Sequence, residues 1–221
     1  LTLTAAEART MADAAARTGG LLMEAFHYRH HRVMHHAVAL VRSGRLGRLV
    51  RAEGAFTVTI RRSPGELRWI RALGGGALMD LGVYPLHALR TLFGSEPTVR
   101  AAHGRFEPDG VDAELEAELD FDGATARIAC SLDSQRRHAA LRLEGEAGVL
   151  EIVNFIAPQF GCRFTVNGVE QPVDGPSTYG AQMEHLVQVW RGKAAPVLTP
   201  ADAVANMDAI DAIYAAAGRP G

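Results

Sequence analysis

The sequence predicts an α+β fold: an open, mostly antiparallel sheet of about six strands with helices on one face. Three observations predict it. Hydrophobic alternation with period two recurs between residues 98 and 169. An Asp122-Gly123 pair, a strong hairpin turn, separates two of those runs. Helical periodicity dominates the two ends of the chain instead. A sheet covered on one face only leaves the other to solvent or to a second copy. That arrangement invites self-association through the open sheet face.

Composition narrows the class. The chain has 221 residues, 48% hydrophobic and 22% charged, with a net charge of −2. These values suit a folded domain with a real core. No basic stripe is present, which argues against nucleic acid as a partner. No apolar run reaches the ~18 residues of a membrane-spanning helix, so no membrane role is expected. Cys130 and Cys162 have no metal-ligand spacing and read as buried thiols of a cytoplasmic protein. Lys193 is the single lysine among 23 basic residues. No core element therefore carries a lysine that could act as a general acid.

Residues 1–20 read as one helix. Thr4 and Glu7 form a T-x-x-E capping box, Ala8, Met11, Ala12 and Ala15 give an apolar side, and Gly19-Gly20 ends it. Residues 21–26, L-L-M-E-A-F, read as a short buried strand. Residues 1–26 thus resemble the tail of a doubly wound dinucleotide-binding domain, with residues 27–221 forming a substrate-binding and oligomerisation domain. The G-x-G-x-x-G fingerprint occurs nowhere in the chain.

Residues 27–44 carry the helical stripe Val33, Ala37, Val38, Leu40 and Val41. His27, His31 and His35 fall at i, i+4 and i+8, a spacing that could present a metal face. No Cys, Asp or Glu accompanies them, and a solvated or hydrogen-bonded histidine face is the favoured reading, with no metal. Residues 49–60 alternate as a half-buried strand. A polar loop with Pro64, Trp69 and Arg71 follows.

Residues 73–94 are the densest in chemistry. Gly74, Gly75 and Gly76 let the backbone turn sharply or approach a ligand closely. Asp80, Tyr84 and His87 then fall at i, i+4 and i+7, which puts a carboxylate, a phenol and an imidazole on one helix face. Pro85 predicts a kink beside Tyr84.

Beyond Gly94, strands are expected at residues 98–106, 113–121, 124–132, 139–144, 149–155 and 163–169. Glu114, Glu116, Glu118 and Asp120 line one strand face and read as a polar sheet surface opposite Arg127 and Arg142. Residues 176–191 read as a helix with Met183, Leu186, Val187 and Trp190 inward. Thr199-Pro200 opens the last helix.

The motif G-G-G-A-L-M-D-L-G-V-Y at Gly74–Tyr84, with Tyr28, Arg29 and His31 in a Y-R-x-H arrangement, resembles the Gfo/Idh/MocA family of NAD(P)-dependent oxidoreductases. The closest likeness is to its dihydrodiol dehydrogenase and glucose–fructose oxidoreductase branch. Where that family usually has a proline after the histidine, this chain has Arg32. The resemblance implies an enzyme using NAD or NADP to move a hydride to or from a sugar, polyol or cyclic diol. It implies Asp80 and Tyr84 as catalytic residues and His87, Arg29 and Arg71 as substrate-binding. Tyr28, Trp69, Gly75 and Gly76 would border the cofactor, and the resemblance implies a homodimer or homotetramer joined through the open sheet face. In that family an E-K-P lysine lies just upstream of the matched segment. The resemblance thus implies a C-terminal portion lacking most of its Rossmann domain and inactive alone. Two alternatives of other classes stand beside it: a non-catalytic sugar-binding or oligomerisation module of the same fold, and a protein with a histidine metal site.

Overall fold

A computed structural model describes residues 2–220. Its centre is one mixed sheet of eight strands in the order β2-β3-β4-β1-β5-β6-β7-β8. The strands are β1 (Leu49–Thr59), β2 (Thr98–Phe106), β3 (Asp112–Phe121), β4 (Ala124–Ser131), β5 (Asp133–Gly145), β6 (Gly148–Val153), β7 (Arg163–Val166) and β8 (Val169–Glu170). The helices are α1 (Ala5–Thr18), α2 (Arg32–Arg42), α3 (Val83–Phe93), α4 (Thr178–Trp190) and α5 (Pro200–Ala216). No helix among the described residues is long and apolar enough to cross a membrane.

The sheet has eight strands against the about six expected, and one of the additional strands has a local reason. The run 163–169 is two strands, because Asn167 and Gly168 take φ of 51° and 76° and turn the chain back on itself. Asp122 and Gly123 make the predicted hairpin in the same way. One pairing is parallel: β1 lies beside β4 in the middle of the sheet. Residues 21–26 are extended but join no ladder among the described residues, so the expected strand there is absent.

The helix-bearing face of the sheet is dry, and α3 lies hard against it. A Cβ on Gly54 of β1 would sit 2.8 Å from the Pro85 ring, and one on Gly82 would sit 2.8 Å from Cys130 Sγ of β4. Side chains at either glycine would lift the helix off the sheet. The opposite face carries paired charges, with Glu116 on Arg127 and Arg142 on Glu144 and Glu151. The acidic row of β3 is therefore a solvated sheet face, as its period implied.

Two helices differ from expectation. In α1 the capping box forms, with Thr4 Oγ1 accepting from the Glu7 N–H, but Met11 is 39% exposed. The helix docks by Ala5 and Ala8 against α5, aided by Ala5 N–H to Asp211 and the Arg9–Asp208 pair. In α4, Met183 and Trp190 face solvent, and Trp190 is 82% exposed. This helix rests on the 3₁₀ turn His27–His30 rather than on the sheet, so its inner side pairs rings instead of filling an apolar layer.

The glycine turn is the tightest point. Gly76 has φ 136°, and a Cβ there would come within 2.1 Å of Asp112 Oδ1. Gly76→Ala should therefore cost about 3 kcal/mol, a fall in Tm on the order of 10 °C. Gly19→Ala, at a left-handed but open helix end, should cost about 1 kcal/mol. Thermal melts of both variants check this; equal losses would show that crowding against Asp112 is not what demands a glycine.

Candidate active site

Asp112 is where the site begins. Its carboxylate is fully buried and accepts hydrogen bonds from the Leu78 N–H at 2.7 Å and the Tyr214 hydroxyl at 2.9 Å. Burial pushes its carboxyl up, while those two donors hold it down. The bonds tie the start of the helical stretch to β3 and α5. Before it, the loop folds onto itself: Gly75 N–H bonds to Ile70 O and Gly76 N–H to Arg68 O, both at 3.0 Å. A Cβ on Gly75 would lie 2.7–2.8 Å from the backbone of Ile70 and Arg68. Gly75 and Gly76 are both buried. The close approach of Gly75 is to the loop's own backbone and that of Gly76 is to the side chains of Asp112 and Tyr214, not to an open ligand surface.

Residues Leu78–Gly82 form a single π-helical turn, closed by the Val83 N–H reaching Leu78 O. The expected kink beside Tyr84 therefore appears one turn earlier. The wide turn absorbs the misfit that Pro85 would otherwise create, and α3 runs regularly from Val83. Asp80 and Tyr84 emerge on the same side and open into a cleft of about 200 Å³. Glu24, Phe26, Met79, Met207 and Ile210 complete its lining.

Arg68 bridges the loop to this cleft. Its Nε donates to Asp80 Oδ2 at 3.0 Å, and its Nη1 donates to Glu66 at 3.0 Å. Burial raises the Asp80 carboxyl, and the Arg68 charge opposes that rise. Tyr84 packs among Phe26, Phe56, Tyr28 and His27, with ring centroids 5.5–6.1 Å away. Burial pushes its phenol up to about 12, helped by Tyr179, Asp80 and Glu24 and opposed by Arg68. Left to these residues, Tyr84 keeps its proton at neutral pH.

The other predicted residues fall elsewhere. His87 is 1% exposed. Its Nδ1 accepts the Tyr28 O–H at 2.6 Å, its Nε2 meets Asp202 at 2.9 Å, and its ring stacks on Phe26 at 4.2 Å. Burial lowers the imidazole, which fits a neutral ring donating from Nε2 to Asp202. Tyr28 is fully buried, and its hydroxyl is spent on His87. Both are buried behind Tyr84, Tyr28 at 0% and His87 at 1% exposure. Arg29 lines a second cleft with Arg42 and Arg90. Arg71 lies against Gly110, where a Cβ would meet its Nη1 at 2.4 Å, while Arg68 is the arginine paired with Asp80. Trp69 is half-buried, donates from Nε1 to Ile60 O and lies under the Arg62 guanidinium at 4.0 Å.

The three histidines at helical spacing do not lie on one helix. The 3₁₀ turn ends at His30, and His31 then caps α2 by accepting the Val33 N–H. His27 instead meets Thr178 and stacks on Tyr179. Among the described residues no three His, Cys, Asp or Glu could hold a metal together.

The family described as the GFO/IDH/MocA C-terminal domain matches residues 34–151. D-xylose 1-dehydrogenase (NADP(+)) 2 of Haloferax volcanii is 30% identical over 98% of this chain and 68% of that protein. The chain belongs to the Gfo/Idh/MocA family of NAD(P)-dependent oxidoreductases. Mouse trans-1,2-dihydrobenzene-1,2-diol dehydrogenase is 30% identical over 78% of this chain and 50% of its own length. The crystal structure of aldose-aldose oxidoreductase from Caulobacter crescentus, complexed with glycerol, superposes with a TM-score of 0.89 at 28% identity. That match covers 98% of this chain and 68% of the solved one. This Gfo/Idh/MocA chain thus spans between half and two thirds of the length of these relatives.

Two cleft residues of this Gfo/Idh/MocA chain escape sequence reasoning. Arg68 stands beside Arg71, and no spacing rule tells which of them turns toward Asp80. Glu24 sits in an apolar run, where a carboxylate in the middle was itself the available signal.

One acid-sensitive group follows from the same region. His30 is 5% exposed and packs against His185 of α4 at 4.9 Å. Burial, then the charges of His185, Arg29, His35 and His27, lower it from 6.5 to about 4. A depressed histidine stabilises the fold fully above pH 6.5, and that contribution is lost as pH falls from 6.5 toward about 4. Urea titrations at pH 7 and pH 4.5 should differ by about 2–3 kcal/mol from this group. His30→Gln should shrink the difference; an unchanged difference would remove His30 as the cause.

Proposed function

We propose that this protein is an NAD(P)-dependent dehydrogenase or reductase acting on the carbinol or carbonyl carbon of a sugar, polyol or cyclic diol. Asp80 and Tyr84 are its catalytic pair. The observation that carries this reading is their joint emergence from one turn into one cleft, with Arg68 held on Asp80.

The cleft fits the flat end of a nicotinamide cofactor. Phe26, Met79, Met207 and Ile210 give it an apolar wall, and Glu24, Asp80 and Tyr84 give it a polar edge. When bound, NAD(P) supplies or accepts the hydride. No G-x-G-x-x-G occurs in the 221 residues, so the phosphates of the cofactor would be held by residues outside them. Residues 2–26, packed on α5, are read as the end of that dinucleotide-binding unit.

Tyr84 handles the proton. In reduction its O–H donates to the oxygen of the carbonyl as that oxygen gains charge. In oxidation the phenolate takes the hydroxyl proton back. A phenol held near 12 stays protonated at neutral pH, so the oxidative direction needs a positive neighbour to bring it down. Arg68 is the cation the structure provides, one hydrogen bond away through Asp80. Asp80 accepts from a substrate hydroxyl and orients it, while the Arg68 charge opposes the rise that burial imposes on its carboxyl. The relatives act on xylose and on a dihydrodiol, by their names, which supports a polyhydroxylated or diol substrate here.

The charged sheet face is read as the surface through which copies associate. Glu53, Glu116, Arg127, Arg142 and Glu151 alternate in sign around a shallow depression there. Light scattering of the purified protein at low salt should show a dimer or tetramer that weakens as salt rises. A salt-independent monomer would refute it.

Tyr84→Phe, in the protein carrying its dinucleotide-binding unit, should lower kcat by about 10²–10⁴ with little change in KM. The ring and its packing survive, so Tm should barely move. Asp80→Asn should lower kcat and raise KM together, because it also frees Arg68. Steady-state assays with NAD+ and NADP+ and a panel of aldoses, polyols and cyclic diols give both numbers. A near-normal kcat for Tyr84→Phe would make Tyr84 a packing residue.

A further inference from the structure

A second cleft, of about 230 Å³, is lined by His87 together with Arg29, Arg42 and Arg90. It is framed by the ends of α2 and α3 and the start of α5. Its carboxylates are already spent. Asp202 holds His87 Nε2 at 2.9 Å and Arg90 Nη2 at 3.2 Å. Glu96 takes two hydrogen bonds from Arg90, at 2.6 and 2.8 Å, and Arg90 Nη1 donates to Asn206. Arg90 is therefore neutralised where it stands.

Two cations are left over. Arg29 is half-buried and Arg42 is exposed, and both line the cleft. Among the described residues neither guanidinium has a hydrogen bond or a carboxylate within ion-pair distance. Burial lowers the Arg29 guanidinium, and Arg42 lowers it further; only Tyr28 and Asp202 oppose this. A partly desolvated cation beside a like charge is costly unless an anion joins them. The hydroxyls of Thr91 and Ser95 add donors on the opposite wall.

We propose that this cleft is a binding site for a phosphate dianion, gripped by Arg29 and Arg42. Guanidinium forks match tetrahedral oxyanions in geometry as well as charge. The volume is below that of pockets for larger organic ligands, and it suits a phosphate group with the first atoms of whatever carries it. The group could arrive as free phosphate or as the ester of a phosphorylated sugar. The buried chain Arg90–Asp202–His87–Tyr28 runs from this cleft to the rings packed on Tyr84. The site is argued from charges and contacts alone, so it stands independently of the dehydrogenase reading.

Calorimetric titration of the 221-residue protein at low salt tests it, with inorganic phosphate and glucose 6-phosphate as separate ligands. One-to-one binding with a submillimolar Kd is expected for at least one of them, weakening as salt is added. Tighter binding of the ester would place the bearer in the cleft; equal binding would assign the affinity to the phosphate alone. Arg42→Gln, an exposed change that leaves the fold intact, should weaken Kd at least tenfold, and Arg29→Gln at least as much. Saturating phosphate should raise the Tm of the wild type but not of Arg42→Gln. No heat and no Tm rise with either ligand, or undiminished binding by Arg42→Gln, overturns the proposal.

Discussion

The buried carboxylate of Asp112 is the interaction on which the rest of the structure depends. It joins three elements that are far apart in sequence: the Leu78 N–H at the start of the π turn, the Tyr214 hydroxyl on α5 and its own strand β3. A buried charge is tolerated only when it is met by donors, and both of its visible partners belong to the frame of the cleft. The space it occupies is the space a Cβ of residue 76 would need. The glycine there is required by a carboxylate, and the carboxylate is required by an otherwise orphaned backbone N–H. From that staple the chain enters the π turn at a fixed angle, and Asp80 and Tyr84 inherit their direction from it.

A second constraint is the closeness of α3 to the sheet. Gly54 and Gly82 allow backbone and ring to meet where any side chain would hold them apart. The helix therefore presents its first turn, with Tyr84, among aromatic rings at the edge of the core. The consequence is electrostatic. Burial that secures the helix also raises the phenol of Tyr84 and the carboxyl of Asp80. Arg68, on the folded-back loop, is the compensating charge. Packing and chemistry are set by the same few contacts.

Much of this was legible in the chain of residues. The α+β class, the Thr4 and Thr199 caps, the Asp122-Gly123 hairpin and the solvated acidic row of β3 are local or period-two features, and each formed as read. The Asn167-Gly168 turn was equally legible by the same rule, and reading through it merged two strands into one. The four-residue spacing of Asp80 and Tyr84 placed them together because an offset of one helical turn survives even a π bulge.

What the sequence by itself determined, then, are the features whose cause lies within about one turn or one hairpin: caps, turns, periodicity and the pairing of Asp80 with Tyr84. Only the tertiary structure decided which polar residues face a cleft and which become struts. His87 and Tyr28 carry the same chemistry as open-site residues, yet each consumes the other's hydrogen-bonding capacity inside the core. Arg68 and Arg71 are three residues apart in one loop, and only its fold-back at Gly75 and Gly76 sends one to Asp80 and the other to Gly110. The reason is physical: a side chain's type fixes what it can bind, but its partners are fixed by contacts between elements distant in sequence.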